Sequence, residues 1–230
     1  MNQRGDPLPP GRAPANARVL VCFAVKAEAR PFLRLAAGRP QWQVALMGMG
    51  PVMAARNLSA RLAQDRPELV CTCGFAGGLN PDLAAGTVVF AADPGLELAA
   101  ALTQAGAVPG RFCGVDRVLS TAAEKAALRR VTGADAIEME SSVIRSACRQ
   151  AGLPSATIRV ISDVAAEDLP VDFNRFLTPD GQLDYFQLAW VTTRAPRTWP
   201  AWWAFQRQTR RAAAVLAGVL ASALIAMVDK

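Results

Sequence analysis

Short apolar runs alternate with segments of helical pattern along most of this chain, and this alternation limits the folds that it can adopt. The runs have the length of buried strands and span Arg18–Val25, Trp42–Met47, Leu69–Cys73, Gly86–Ala91 and Ala156–Ile161. Continuous apolar strands that alternate with helices are typical of a sheet with both faces covered. No internal repeat or change in composition divides the sequence. The sequence therefore predicts an α/β fold, with a single domain over residues 18–230 and a mostly parallel or mixed central β-sheet covered by helices on both faces.

The remaining segments are assigned by their own patterns. Helices are predicted to open at Lys26 and to cover 52–64, 122–131, 141–151, 183–194 and 199–228, and residues 95–110 are predicted as a helix followed by a Pro-Gly turn. Pro31 is tolerated in the first helix only near its first turn. A further strand is predicted over Gly114–Leu119. Residues 1–17 are rich in Pro, Gly and Arg without an apolar stretch, so we expect a disordered lead-in and no signal peptide.

The C-terminal segment has two readings. Residues 212–228 carry no charge, which brings them to the lower length limit of a membrane span. Their richness in Ala and Gly, without an anchor beyond them, favours a helix buried against the sheet. Trp199, Trp202 and Trp203, with the arginines nearby, leave peripheral contact with a membrane surface as the alternative.

The amino-acid composition limits which catalytic groups and ligands the protein can use. The chain has no histidine, which removes the usual acid/base group at neutral pH and the commonest zinc ligand. The five cysteines are odd in number, and Cys71 and Cys73 lie inside an apolar run, so reduced structural thiols in the cytosol are expected. A net charge of +6 permits nucleic-acid binding as a hypothesis that rests on charge alone.

Acidic side chains follow three of the predicted strands. Glu28 comes after the first strand, Glu138 and Glu140 stand where a strand gives way to a helix, and Asp163 ends another strand. Side chains at the carboxyl ends of parallel strands gather at one edge of the sheet, where ligands bind. The alternative for Glu138 and Glu140 is that they are helix N-terminal acids favoured by the helix dipole.

Glycines cluster in two of the predicted turns. Gly48 and Gly50 precede a helix, and Gly74, Gly77 and Gly78 follow the Leu69–Cys73 strand. Such turns let the backbone approach a ligand closely, although tight bends alone would also explain them.

Five segments, in order, carry a resemblance to a known family. They are Phe23–Glu28, Gly48–Val52, Gly74–Leu79 with Gly86–Val89, Ile137–Glu140 and Arg159–Asp163. Together they resemble the nucleoside phosphorylase/nucleosidase superfamily, and are most similar to the branch that hydrolyses methylthioadenosine and adenosylhomocysteine. The resemblance implies a cytoplasmic purine nucleosidase that acts on a small-molecule nucleoside as a homodimer, without cofactor, metal or nucleic acid.

The resemblance also implies a role for individual residues. Glu28 matches the acid that activates the attacking water, and Asp163 matches the acid that serves N7 of the purine. Met139 and Glu140 match the pair that holds the ribose, with Glu140 accepting from its 2′- and 3′-hydroxyls. Ser162 would help to orient the base.

Other positions are implied to contribute to substrate binding: Gly50, Phe75, Ala76, Gly77 and Glu138. Gly50 and the Gly74–Gly78 turn would line the pocket where the nucleophile sits. Glu138 is expected to act structurally beside Glu140.

Departures from the family pattern leave alternatives open. Family phosphorylases have an arginine just before the glycine turn, where this chain has Cys71-Thr72-Cys73, so water is the expected nucleophile. Phosphorolysis is the alternative, with Arg30 and Arg56 as candidates for binding phosphate.

Two further alternatives concern which substrate the protein uses and whether it is an enzyme at all. The chain is shorter than the nucleosidase pattern between Phe90 and Leu119, and Phe75 replaces a small hydroxyl residue. Both changes predict an open, apolar pocket for the 5′ substituent, as in the hopanoid-associated branch that acts on adenosylhopane. A non-catalytic member that binds nucleosides or a membrane surface is the alternative of another class.

Overall fold

The computed structural model describes residues 18–176 and 199–228. The strands are β1 Val19–Phe23, β2 Trp42–Leu46, β3 Leu69–Gly78, β4 Val88–Ala92, β5 Val108–Pro109, β6 Phe112–Gly114, β7 Ala136–Glu138 and β8 Ser155–Asp163. The helices are α1 Lys26–Leu35, α2 Pro51–Gln64, α3 Glu97–Gln104, α4 Ala122–Thr132, α5 Ser141–Gln150 and α6 Trp199–Val228, and a short 3₁₀ helix spans Phe173–Phe176. Two predictions lie outside the described residues, namely the lead-in over 1–17 and the helix over 183–194.

The strands form one mixed sheet, as predicted. Its order is β2-β1-β3-β8-β4-β5, and β7 pairs with the far end of β3 and with β6. The central strands β2, β1, β3 and β8 run parallel, whereas β4 is antiparallel to β8. The carboxyl ends of β1, β3 and β8 therefore lie side by side at one edge.

Helices pack on both faces of this sheet because β1 is apolar on both sides. Val19, Val21 and Phe23 face a core shared with α1, α3 and α6. Leu20 and Cys22 face a second core that contains residues of α2 and α5. All five cysteines are free, and four of them are buried, which agrees with the prediction of structural thiols.

The helix α6 is long and apolar enough to cross a membrane by length and composition. One side of it is buried against the sheet and against α1 and α3, through Leu216, Leu220 and Leu224. This packing confirms the expectation of a C-terminal helix buried against the sheet. The opposite side is exposed and includes Trp203 and Ile225.

Four local predictions were wrong. The glycine turn predicted at Gly74–Gly78 is instead the second half of β3, because that half pairs with β8 and β7 on its two sides. Pro109 belongs to a short strand beside β4, a position at which a missing N–H is tolerated. The strand predicted over Gly114–Leu119 ends at Gly114, since β6 pairs only alongside the short β7. Pro31 lies beyond the first turn of α1, where its missing N–H removes one helical hydrogen bond.

Candidate active site

A cavity of about 350 Å³ opens at the carboxyl ends of β1, β3 and β8. Sequence-predicted residues that line it are Glu28, Phe75, Ala76, Gly77, Glu138, Met139, Glu140, Ser162 and Asp163. The structure thus brings the acids of three separate segments into one cavity. Their positions follow from the topology, since the first turn of α1 and the β7–α5 junction flank the ends of these strands.

Glu28 is buried in the first turn of α1, where backbone amides surround its carboxylate. Oε2 accepts hydrogen bonds from the N–H groups of Ala24 and Val25 at 3.1 and 3.3 Å. Oε1 accepts from the N–H of Phe75 on β3 at 2.9 Å. Burial raises the pKa of Glu28, although the Arg159 guanidinium and these amides act in the opposite direction. The geometry therefore fixes the carboxylate while burial makes it more basic than an exposed glutamate.

Arg159 of β8 joins the carboxylates of the cavity, although it stands in an otherwise apolar strand. Its Nη2 donates to Glu138 Oε2 at 2.8 Å and lies 3.5 Å from Glu140 Oε2. The same nitrogen bonds to the hydroxyls of Thr72 and Ser141, and Nη1 bonds to the carbonyl of Cys73. Burial acts to lower the pKa of this guanidinium, but the nearby glutamates outweigh it and raise the pKa. We call Glu28, Glu138, Glu140 and Arg159 the acidic end of the cavity.

Glu138 and Glu140 have different surroundings. Glu138 Oε2 accepts from the N–H groups of Glu140 and Ser141 at 2.9 and 2.6 Å, which satisfies the start of α5. Glu140 Oε1 accepts from the N–H of Gly50 at 2.9 Å. Burial raises the pKa of Glu140, against the effects of Arg159 and of the Gly50 amide. Glu138 organises the β7–α5 junction, as the helix-terminus alternative proposed, whereas Glu140 is held at the cavity wall.

Two glycines allow side chains, rather than a ligand, to approach the backbone. At Gly74, a Cβ atom would lie 2.5 Å from Arg159 Nη1 and 2.8 Å from Glu28 Oε1. The N–H of Gly50 is used by Glu140, and Gly50 is not among the described residues that line the cavity. Met49 lines it instead. Gly50 thus supports the cavity through Glu140, and its predicted contact with substrate stays a prediction.

Asp163 lines the other part of the cavity, and Lys125, which is not among the described lining residues, pairs with it from behind. Lys125 Nζ lies 2.5 Å from Asp163 Oδ2, and both side chains are buried. The Ser162 hydroxyl donates to Asp163 Oδ1 at 2.6 Å. We call Asp163, Ser162 and Lys125 the paired end. In the part of the chain that the structure describes, no three His, Cys, Asp or Glu side chains are grouped to hold a metal ion.

The remaining wall is aromatic and apolar. Phe173, Trp202 and Phe205 contact one another with ring centroids 5.8–6.3 Å apart. Leu169 and Val118 extend this surface. Trp202 and Phe205 come from the start of α6, and Phe173 opens the short 3₁₀ helix that follows β8. We call Phe173, Trp202 and Phe205 the aromatic end.

Sequence reasoning missed both cations. Arg159 had a usable signal, because a single arginine inside the apolar run Ala156–Ile161 requires a buried partner. Lys125 had none, since a lysine on an Ala-rich helix normally faces solvent. The two arginines proposed for phosphate, Arg30 and Arg56, are exposed, and neither is among the described residues that line the cavity.

Comparison with known proteins identifies a family from the sequence and finds the same fold in solved structures. The profile of the Phosphorylase superfamily matches residues 21–99 and 91–223. A 5'-methylthioadenosine/S-adenosylhomocysteine nucleosidase from Geobacillus kaustophilus (strain HTA426) is 31% identical over 165 residues, which covers 56% of this chain and 70% of that protein.

Two solved structures are similar over nearly their whole length. The Campylobacter jejuni 5'-methylthioadenosine/S-adenosyl homocysteine nucleosidase has a TM-score of 0.67 at 17% identity, covering 91% of this chain and 99% of its own. Futalosine hydrolase of Helicobacter pylori strain 26695 has a TM-score of 0.66 at 18% identity, covering 92% and 97%. Both share the fold of this chain.

Proposed function

The chain belongs to the phosphorylase superfamily, and from this premise we propose that it is a purine nucleosidase. It would release adenine from a 5′-substituted adenosine by attack of water at C1′ of the ribose. The observation that carries the proposal is the cavity itself, in which Glu28, Glu140 and Asp163 meet at the carboxyl ends of the central strands. The nucleosidase from Geobacillus kaustophilus, which is 31% identical, has the same reaction class in its name.

The reaction needs opposite charges to be stabilised on the two sides of the bond that breaks. Cleavage of the N-glycosidic bond leaves positive charge on the ribose ring and negative charge on the departing base. Glu140 would hold the ribose hydroxyls at the acidic end, with Met139 beside it. Asp163 would meet N7 of the purine at the paired end and hold the proton that N7 takes up as the bond breaks, so that the base leaves as neutral adenine. Carboxylates near the ring support an oxocarbenium-like transition state, as they do in glycoside hydrolysis.

Glu28 is the proposed general base. It would take a proton from the attacking water, whose oxygen forms the new bond to C1′ as the bond to the purine nitrogen breaks. Its raised pKa suits this role because a base is more effective as its pKa approaches the working pH. Assistance of this kind contributes about 10²–10⁴-fold to the rate.

Charge at the acidic end favours water over phosphate as the nucleophile. Three carboxylates, Glu28, Glu138 and Glu140, surround the single guanidinium of Arg159. A phosphate there would meet an excess of negative charge and an arginine whose Nη2 already bonds to Glu138, Thr72 and Ser141. A phosphate-dependent phosphorylase remains the alternative for the nucleophile, and phosphate dependence of the rate distinguishes the two.

The aromatic end supports an apolar group on the 5′ carbon. Phe173, Trp202 and Phe205 offer flat apolar surfaces and few polar partners. Methylthioadenosine presents a small group of this kind, and a larger lipid-linked adenosine, such as the adenosylhopane used by hopanoid-associated relatives, is the alternative substrate. On the outer side of the same helix, Trp203 is 61% exposed beside the exposed Arg207 and Arg210. This surface would suit peripheral contact with an anionic membrane.

A release assay tests the proposal. Adenosine, methylthioadenosine, adenosylhomocysteine and a lipid-linked adenosine are incubated with the wild-type protein and with Asp163→Asn, and free adenine is measured. We expect release from at least one substrate by the wild type and a severe loss in the variant with an intact fold. Near-normal turnover by Asp163→Asn contradicts the assignment. A folded wild-type protein that is inert toward all four would favour the non-catalytic alternative.

Several expectations stay predictions. They are the homodimer, the cytoplasmic location, the lack of a cofactor and the lack of nucleic-acid binding. Salt-dependent binding to DNA or RNA would revive the last alternative.

A further inference from the structure

Lys125 is a fully buried lysine, and every hydrogen-bond partner of its ammonium lies at the end of β8 or just beyond it. Nζ donates to Asp163 Oδ2 at 2.5 Å, to the carbonyl of Val164 at 3.0 Å and to the carbonyl of Glu167 at 2.8 Å. Its relative exposure is 0%. A buried ammonium is retained only where such partners compensate for its lost hydration. The three acceptors satisfy all three of its donors.

These contacts fix both oxygens of Asp163. Oδ2 accepts a hydrogen bond from Lys125 Nζ, and Oδ1 accepts one from the Ser162 hydroxyl at 2.6 Å. Gly77 of β3 lies close beside Oδ2, since a Cβ there would be 3.3 Å from that oxygen. The carboxylate therefore has a defined orientation before any substrate arrives.

Tethering of the following segment does not require this lysine. Asp168 accepts a hydrogen bond from the N–H of Ala122 at 2.7 Å, and the N–H of Leu169 donates to the carbonyl of Ser120 at 2.8 Å. Gln208 of α6 donates to the carbonyl of Ser162 at 2.6 Å. Neutral donors already hold this segment on both sides, so the charge of Lys125 needs another explanation.

We propose that Lys125 is a positioning residue for departure of the base, which acts through Asp163. This inference rests on the proposed function, in which Asp163 meets the purine. Lys125 holds the Asp163 carboxylate toward the cavity and balances negative charge at the paired end as the base leaves. Because that charge develops only as the bond breaks, Lys125 contributes more in the transition state than in the bound substrate.

The role predicts a specific kinetic pattern for Lys125→Met. Its kcat and kcat/KM should fall together, by about 10²-fold, within the range for loss of acid/base assistance. KM should change little, since Leu169, which lines the cavity beside the aromatic end, stays tethered by its own neutral contact. Lys125→Arg keeps the charge and should recover part of the activity. Arg130→Met, an exposed position on the same helix, is the matched control and should behave as the wild type.

A double-mutant cycle with Asp163→Asn provides the deciding measurement. If Lys125 acts through Asp163, adding Lys125→Met to Asp163→Asn should cause no further loss of kcat. The double variant removes both members of the buried pair and so leaves no unpaired charge. Its kcat can therefore be compared with that of Asp163→Asn even if Lys125→Met alone fails to fold. A further loss in the double variant comparable to that in Lys125→Met, or near-normal kcat for a folded Lys125→Met, would overturn the inference. Full activity of Asp163→Asn alone would instead overturn the proposed function.

Discussion

The acidic end and the paired end both bury carboxylates beside one cation, but they balance charge differently. Three glutamates surround Arg159 at the acidic end, whereas Asp163 faces Lys125 alone at the paired end. An excess of negative charge suits a ribose that becomes positive, and a neutral pair can take up the charge of a departing base. The difference shows how one cavity can support opposite charges on the two sides of a single bond.

Removing the proposed general base, Glu28, should have the largest effect on activity. Glu28→Gln loses the proton acceptor, so kcat for adenine release should fall by about 10²–10⁴-fold. Steady-state kinetics measure the loss, and thermal unfolding checks that the fold is kept. Glu68→Gln, which changes an exposed glutamate, is the control. Activity within a few-fold of wild type would mean that another group activates the water.

Removing the cation from the acidic end should mainly affect stability. Arg159→Met leaves Glu138 and Glu140 buried without their partner, which should cost about 3–5 kcal/mol of the free energy of unfolding. Denaturant titration measures this difference, with Arg34→Met, at an exposed position of α1, as the control. If the two variants lost similar stability, Arg159 would not be the counter-ion that holds the acidic end together.

Truncation at the aromatic end tests where the 5′ substituent of the substrate binds, and does not change the charged groups of the other two ends. Trp202→Ala should raise KM for a substrate with an apolar 5′ group by about tenfold, or about 1.4 kcal/mol, through lost contact area. Adenosine, which lacks that group, is the internal control and should change little. An equal rise in KM for both substrates would show that the 5′ substituent does not bind at the aromatic end. The roles proposed for the acidic end and the paired end would be unaffected.

The acidic end should also set the low-pH limit of activity. Burial raises the pKa of Glu28 and of Glu140 above the ordinary value of 4.5. Each works as a carboxylate, so activity is lost as the pH falls through the raised pKa. The acidic limb of kcat/KM against pH should therefore lie above pH 4.5. A limb at or below that value would show that neither buried glutamate controls the rate.

The sequence predicts the acids better than the cations, for a physical reason. Glu28 and Asp163 follow strand ends that the parallel arrangement of β1, β3 and β8 carries to one edge. Glu140 follows β7, which reaches the same edge by pairing antiparallel with the end of β3. Lys125 depends on how α4 packs against the end of β8, which no local pattern encodes.

The glycines of β3 were misread for a related reason. Gly74 lies in a strand, where its lack of a side chain leaves room for Arg159 and Glu28. Seen along the chain, three glycines indicate a turn. Only the long-range pairing of β3 with β7 and β8 shows that the strand continues.

The most direct test of water attack at a carboxylate-rich site is the phosphate dependence of adenine release. The wild-type protein is assayed on the best 5′-substituted adenosine, without phosphate and then with saturating phosphate, and the sugar product is identified. We predict equal rates and a free sugar in both conditions. Release only in the presence of phosphate, with a sugar 1-phosphate as product, would contradict the account.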